Sequence, residues 1–255
     1  NSAASWWRCN DWSNCDGGGS PDYYHTMGSA TAELPHVWSA SIYPKSGDAI
    51  MGLITYHFSS SNGDGFREYL STELRNPLVP GVEYEFGMWV STGDSSHHSG
   101  SRSNGLGVLF SSDSIIQPTD SAIIRPAHWF SAAEIWTNGW EFITFSFTAD
   151  SSYRFLNIGN FLDYPSTTHT IMIPFPNSVW EEHAYIFLDS IYVTDNYSGL
   201  TSPNDTVICY GDSVNLLAGN CMDCYWADSL TGAQLSTDSV LSVLAEETST
   251  YVVVN

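Results

Sequence analysis

Alternation with a period of two runs through this chain, and helical periodicity is nearly absent, so its backbone is confined to strands and turns. The runs "DAIMGLITYHF" (48 to 58), "REYLSTEL" (67 to 74), "VEYEFGMWVST" (82 to 92), "GLGVLFS" (105 to 111), "WEFITFSFTA" (140 to 149), "RFLNIGNF" (154 to 161) and "AYIFLDSIYVT" (184 to 194) read as strands. Between them stand turn-formers: Pro80-Gly81 ahead of one strand, and "SSNGDG", whose residues tolerate positive φ. Seven such strands suffice for a two-sheet sandwich, and the chain is read as all-β. Two long segments, 91 to 104 and 111 to 138, carry polar and aromatic residues together, as functional loops do.

The polar run "DNYSGLTSPND" (195 to 205) marks a boundary. Domains are expected at 1–198 and 199–255, the second being a small β-sandwich of immunoglobulin-like pattern built from "DTVICYGDSVNLLA", "CYWADS", "SVLSVLA" and "STYVVVN". The start at "NSAASWWRCN" and the strand-like end are those expected of a processed product or a segment of something longer.

Charge narrows the partners. Seven Lys and Arg stand against 28 Asp and Glu, a formal net charge of -21, which opposes nucleic acid phosphates and anionic membrane surfaces. No stretch approaches 18 uninterrupted apolar residues, so no membrane insertion by a helix is expected. Lysine occurs once, at Lys45, and the Ser-, Thr-, Asn- and Tyr-rich balance suits a secreted or cell-surface protein.

The cysteines form two local groups, Cys9 with Cys15 and Cys209 with Cys221 and Cys224. Outside the cell, Cys9–Cys15 is a plausible disulfide, and Cys209 could pair with Cys221 or Cys224. Zinc is the rival reading of "CMDC", but no second Cys pair or His pair follows. Catalytic motifs find no support. "GDSV" (211 to 214) lacks any downstream His to act as base, His97-His98 reads as a solvated loop, and Glu181-Glu182 reads as surface charge in so acidic a chain.

One residue in "HAYIFLDSIYVTD" (183 to 195) is out of place. Strict alternation puts Asp189 on one face with Tyr185, Phe187, Ile191 and Val193, where an unpaired carboxylate would cost several kcal/mol or become protonated. Residue chemistry alone favours a protein partner, either backbone N–H groups or an Arg such as Arg154.

The segments "SPDYYH", "PKSGDAIMGL", "REYLSTELRNPLVPGVEYEFGMWVS", "GVLFSSD", "NGWEFITFSFTAD", "RFLNIGNF" and "AYIFLDSIYVTD" occur in an order that resembles a jelly-roll domain of secreted Bacteroidetes proteins. That domain is related to the galactose-binding-like, carbohydrate-binding sandwiches, and the resemblance runs from about Trp12 to Thr194. Residues 205 to 255 resemble the immunoglobulin-like repeats of proteins exported by the type IX secretion system. The resemblance implies a structural calcium ion held by Asp189 and by the "SGDA" segment, Ser46 to Asp48, often through backbone carbonyls. A third ligand, a Glu in an Asn-Gly-x-Phe-Glu motif of the first strand, has no counterpart here, and a missing first strand would leave an edge open to a neighbouring chain. Asp-Ser/Thr-hydrophobic triplets, as at Asp120 and Asp212, look like the O-glycosylation signal of such exported proteins.

Aromatic residues outside the clearest strand cores carry the functional expectation: Trp129, Trp136, Tyr23, Tyr24 and Trp180 are the candidate ligand-binding rings, for stacking on sugars. The same rings could pack loops or fill an assembly interface. The expected function is non-catalytic adhesion or carbohydrate binding at the cell surface. The alternative is a structural subunit of a filament or sheath, with further copies of itself as partners.

Overall fold

The computed structural model describes residues 11–15, 18–57, 65–94, 100–118, 122–172, 183–195, 210–217, 225–238, 240–244 and 246–254. The chain divides into two compact units, residues 1–195 and 196–255, three residues ahead of the boundary expected at 198.

The first unit is a β-sandwich of the jelly-roll type, all of its long strands being antiparallel. One sheet runs in the order β1 (Trp12–Ser13), β4 (Leu70–Glu73), β10 (Phe155–Asn160), β7 (Leu106–Ser111) and β8 (Trp129–Phe130). The other runs β11 (His169–Ile171), β6 (Ser101–Ser103), β12 (His183–Asp195), β3 (Ala49–His57) and β2 (Asp22–His25). In that second sheet β12 also pairs with β5 (Glu83–Ser91), and β5 with β9 (Glu141–Thr148).

Alternation explains the core. Leu70, Val108, Phe110, Leu156 and Ile158 of the first sheet meet Leu53, Phe86, Met88, Val90, Ile186 and Leu188 of the second, all buried. A second apolar cluster covers the opposite face of the second sheet at its β2–β3–β12 end. There Tyr24, Ile50, Ile54, Tyr185 and Phe187 are capped by Leu34, Val37, Ala40 and Ile42 of the segment after β2.

Buried polar groups stitch these layers. The Arg67 guanidinium is fully buried; it donates to the Asn160 and Leu162 carbonyls and to Thr167 Oγ1. Asp22 Oδ2 accepts from the Tyr24 hydroxyl (2.9 Å), the Tyr185 hydroxyl (2.8 Å) and Trp38 Nε1 (2.8 Å). Tyr185 reaches it across Gly52, where a Cβ would lie 2.2 Å from the hydroxyl, so only glycine fits there.

The second unit is a small sandwich: β13 (Ser213–Leu217) pairs with β16 (Val240–Leu244), and β14 (Tyr225–Asp228) lies between β15 (Gln234–Ser236) and β17 (Tyr251–Val254). Trp226 and Leu241 form its core, with Leu216, Val243, Tyr251 and Val253 against them.

Candidate functional site: an aromatic strip on the outer face of the second sheet

Strict alternation fails within β12. Its pairing with β5 is irregular between Asp189 and Tyr192, and Ser190 adopts a φ of 51°. Such a bulge swaps the faces of everything beyond it. Before it, Tyr185 and Phe187 point away from the central core; after it, Ile191 and Val193 pack against that core, and Tyr192 points outward. Asp189 therefore does not share a face with Ile191 and Val193, contrary to the expectation from the sequence.

Asp189 is buried and bonded to protein. Its Oδ2 accepts from the backbone N–H groups of Lys45 (2.7 Å) and Ser46 (3.0 Å), and its Oδ1 from Ser190 Oγ (3.1 Å). Ser46 thus lies beside Asp189 through a direct N–H bond, and Ser46 Oγ also meets Ser190 Oγ at 2.7 Å. Asp48 is not: it is exposed, and its carboxylate accepts from Thr26 Oγ1 at 3.3 Å. Arg154 pairs with Glu73 instead, at 2.5 Å. In this arrangement the residues do not fit a calcium ion, which needs oxygens at about 2.3–2.6 Å. The two backbone groups aimed at the carboxylate are N–H donors, which repel a cation. Among the described residues no group of three or more His, Cys, Asp or Glu could hold a metal. Chelation by EGTA should therefore leave the melting temperature unchanged, whereas a bound native-state ion would give a clear fall.

The register around Asp189 builds a surface that the sequence reading overlooked. Across β12, β5 and β9, one row is Asp189, Trp89 and Phe142; the next is Tyr192, Gly87 and Thr144; a third is Thr194, Glu85 and Ser146. Trp89 and Phe142 have ring centroids 5.0 Å apart, and Phe142 and Tyr192 lie 6.3 Å apart with planes only 21° from parallel. Phe142 is 40% and Tyr192 38% exposed, while Trp89 is half-buried. Gly87 makes the strip flat: a Cβ there would lie 2.4 Å from the Tyr192 ring.

Both ends of the strip are polar. Lys45 Nζ sits 3.8 Å above the Trp89 ring, a cation–π contact, on the loop pinned by Asp189. At the other end Glu85 Oε1 accepts from the Tyr192 hydroxyl at 2.6 Å, which raises the phenol's pKa. Tyr43, 73% exposed, lies on the same loop, its carbonyl accepting from Trp140 Nε1 at 2.9 Å.

The rings nominated from sequence are not on this strip. Tyr24 is fully buried against Asp22 and offers no face to a ligand. Tyr23 and Trp129 pack against the central core, Trp129 stacked at 10° on Phe145, and Trp136 is half-buried in the segment before β9. Trp180 lies outside the described residues, as do Cys9, Cys209, Cys221 and Cys224. Cys15 is buried, its Sγ 4.0 Å from Asn157 Oδ1.

No protein-family model matches the chain, and no curated protein does. Among solved structures it is similar to the carbohydrate-binding and catalytic modules of Clostridium thermocellum endo-1,4-β-D-xylanase 10B in complex with xylohexaose, at 13% identity and a TM-score of 0.36. That match covers 76% of this chain and 28% of the xylanase chain. It is also similar to the K1 cleaved adhesin domain of Porphyromonas gingivalis Lys-gingipain, at 14% identity over 73% of this chain and 92% of that one, with a TM-score of 0.36. The xylan-binding domain of a Paenibacillus barcinonensis xylanase matches at 10% identity over 73% and 86%, with a TM-score of 0.37. At these scores the likenesses carry no argument, and the reading of the strip rests on its own residues.

Proposed function

We propose that the first unit is a non-catalytic carbohydrate-recognition module that binds sugars on the Trp89–Phe142–Tyr192 strip, in an extracellular or cell-surface setting. The observation that supports this reading is three neighbouring rings on a solvent-facing sheet surface, Trp89 and Phe142 in one cross-strand row and Tyr192 in the next, flanked by Lys45 and Glu85. The apolar face of a pyranose matches such a strip, and the flanking amine, carboxylate and hydroxyls suit its hydroxyl groups. Further along β9 the outward side chains, Thr144, Ser146 and Thr148, are polar and exposed, so the rings are set apart from that part of the face.

A glycan array read with the full chain, followed by calorimetric titration of the best binder, tests the reading. Trp89→Ala and Tyr192→Ala should each weaken binding by about tenfold or more, the usual cost of truncating a central aromatic anchor. Trp136→Ala should leave it unchanged. An array without a single binder, or a Trp89→Ala variant that binds like wild type, would overturn the proposal.

A further inference from the structure

The sandwich ends unevenly. Four of its terminal strands are stubs: β1 and β8 have two residues each, β11 three and β2 four. The fifth, β9, has eight residues, every one in unbroken register with β5 from Glu141 to Thr148, and no strand among the described residues pairs with its other edge. Long edge strands are ordinarily blunted by lysine, proline, a bulge or an inward charge. "EFITFSFT" has none of these, and its one charge, Glu141, stands at the end.

The inward side chains of β9 show the same gap. On β5 the core-facing Tyr84, Phe86, Met88 and Val90 are at most 9% exposed. Their neighbours on β9, Ile143, Phe145 and Phe147, point into the same core yet stay only half-buried. Phe130 of β8, beside the Trp129 that stacks on Phe145, is 46% exposed. A strip of apolar surface therefore runs down this flank of the sandwich.

We infer that β9 pairs with β9 of a second copy of this chain, antiparallel and about a twofold axis at Phe145, to make one sheet continuous through both molecules. The strand is complementary to itself in that register. Phe145 meets Phe145 and Ile143 meets Phe147 on the inner face; Thr144 meets Ser146 and Phe142 meets Thr148 on the outer. The pairing keeps inward residues inward, as an antiparallel register with equal parity must. Glu141 falls at opposite ends of the pair, so no like charges oppose each other. A foreign strand would need to match this pattern by chance, whereas a second copy matches by symmetry. Both aromatic strips then lie on one face of the joined sheet. The pairing goes beyond the carbohydrate reading and stands independently of it.

Each copy carries a net charge of -21, so repulsion opposes association and salt should relieve it. Sedimentation equilibrium of the full chain should give twice the monomer mass, with the dimer favoured as NaCl rises to about 0.5 M. Ser146→Glu sets two carboxylates diagonally across the axis and should shift the equilibrium toward monomer by about tenfold or more. Ser146→Ala should dimerise like wild type. In hydrogen exchange, amides of residues 141–148 should lose protection on dilution. A chain that stays monomeric in high salt at every concentration overturns the inference. So does a Ser146→Glu variant that dimerises like wild type, which would put the interface elsewhere, or exchange in β9 that ignores concentration.

Discussion

Asp22→Ala should lower the stability of the first unit by about 4 kcal/mol and its melting temperature by about 10 °C, measured by urea and thermal unfolding. One carboxylate oxygen there accepts three hydrogen bonds, from Tyr24, Tyr185 and Trp38. Both tyrosines are fully buried. With Asp22 removed they can still bond to each other across 2.8 Å, but only one hydroxyl can donate in that bond, so one tyrosine proton and the Trp38 N–H are left without their acceptor. Trp38 also belongs to the segment that caps the second apolar cluster, so its release exposes Tyr185 and Phe187. Asp22→Asn keeps one acceptor oxygen and should cost less than half as much. A loss within about 1 kcal/mol of wild type for Asp22→Ala would show that the cluster relaxes around the gap and does not pin the cap.

The long strands were legible because their apolar residues recur every second position and because turn-formers bound them. β3, β5, β7, β9, β10 and β12 each fall within a residue or so of the run read from sequence. β2, β6, β8 and β11 were not read as strands. At two to four residues they have too few side chains to show a period; β2, β6 and β8 each form against a longer strand, and β11 forms against β6.

The site was harder to read for a different reason. The resemblance implies that Asp189 and Ser46 share a calcium ion; in the structure the two meet through the Ser46 N–H, and a sequence does not say whether a loop turns its N–H or its C=O groups toward a carboxylate. Lys45 and Ser46 present N–H, which changes the expected partner from a cation to the backbone itself. The bulge at Ser190 was equally hidden, and with it the outward placement of Tyr192. Trp89 and Phe142 were available. In "VEYEFGMWVST" one face reads Glu85, Gly87, Trp89, Ser91, and in "WEFITFSFTA" one reads Phe142, Thr144, Ser146, Thr148. A large ring on an otherwise polar face is the signal, and a search confined to aromatics outside the strands passes over it.

The second large effect concerns pH. Glu68 is buried, and burial together with the nearby Asp22 charge pushes its carboxyl up to about 7 from an ordinary 4.5, against the lowering effect of N–H bonds from Ile54 (2.8 Å) and Ser20 (3.0 Å). Asp22 is itself raised by burial, which outweighs its three hydrogen bonds. Between about pH 4.5 and 7 the folded chain holds the Glu68 proton that the unfolded chain releases, so stability must fall as pH rises through that window. Above about 7 both states are ionised and the loss is complete, at about 3 kcal/mol. The first unit should accordingly unfold at higher urea at pH 5 than at pH 8. Relief of the chain's overall negative charge acts in the same direction, so Glu68→Gln is needed to separate the two. The amide places an NH2 against one of the two backbone N–H donors and should destabilise at pH 5, but it removes the titration and should flatten most of the slope between pH 5 and 8. Asp22→Ala should flatten part of it as well, since the Asp22 charge is one of the two causes of the shift. A Glu68→Gln variant with the wild-type pH slope would place the titrating group elsewhere and leave the buried pair ionised throughout.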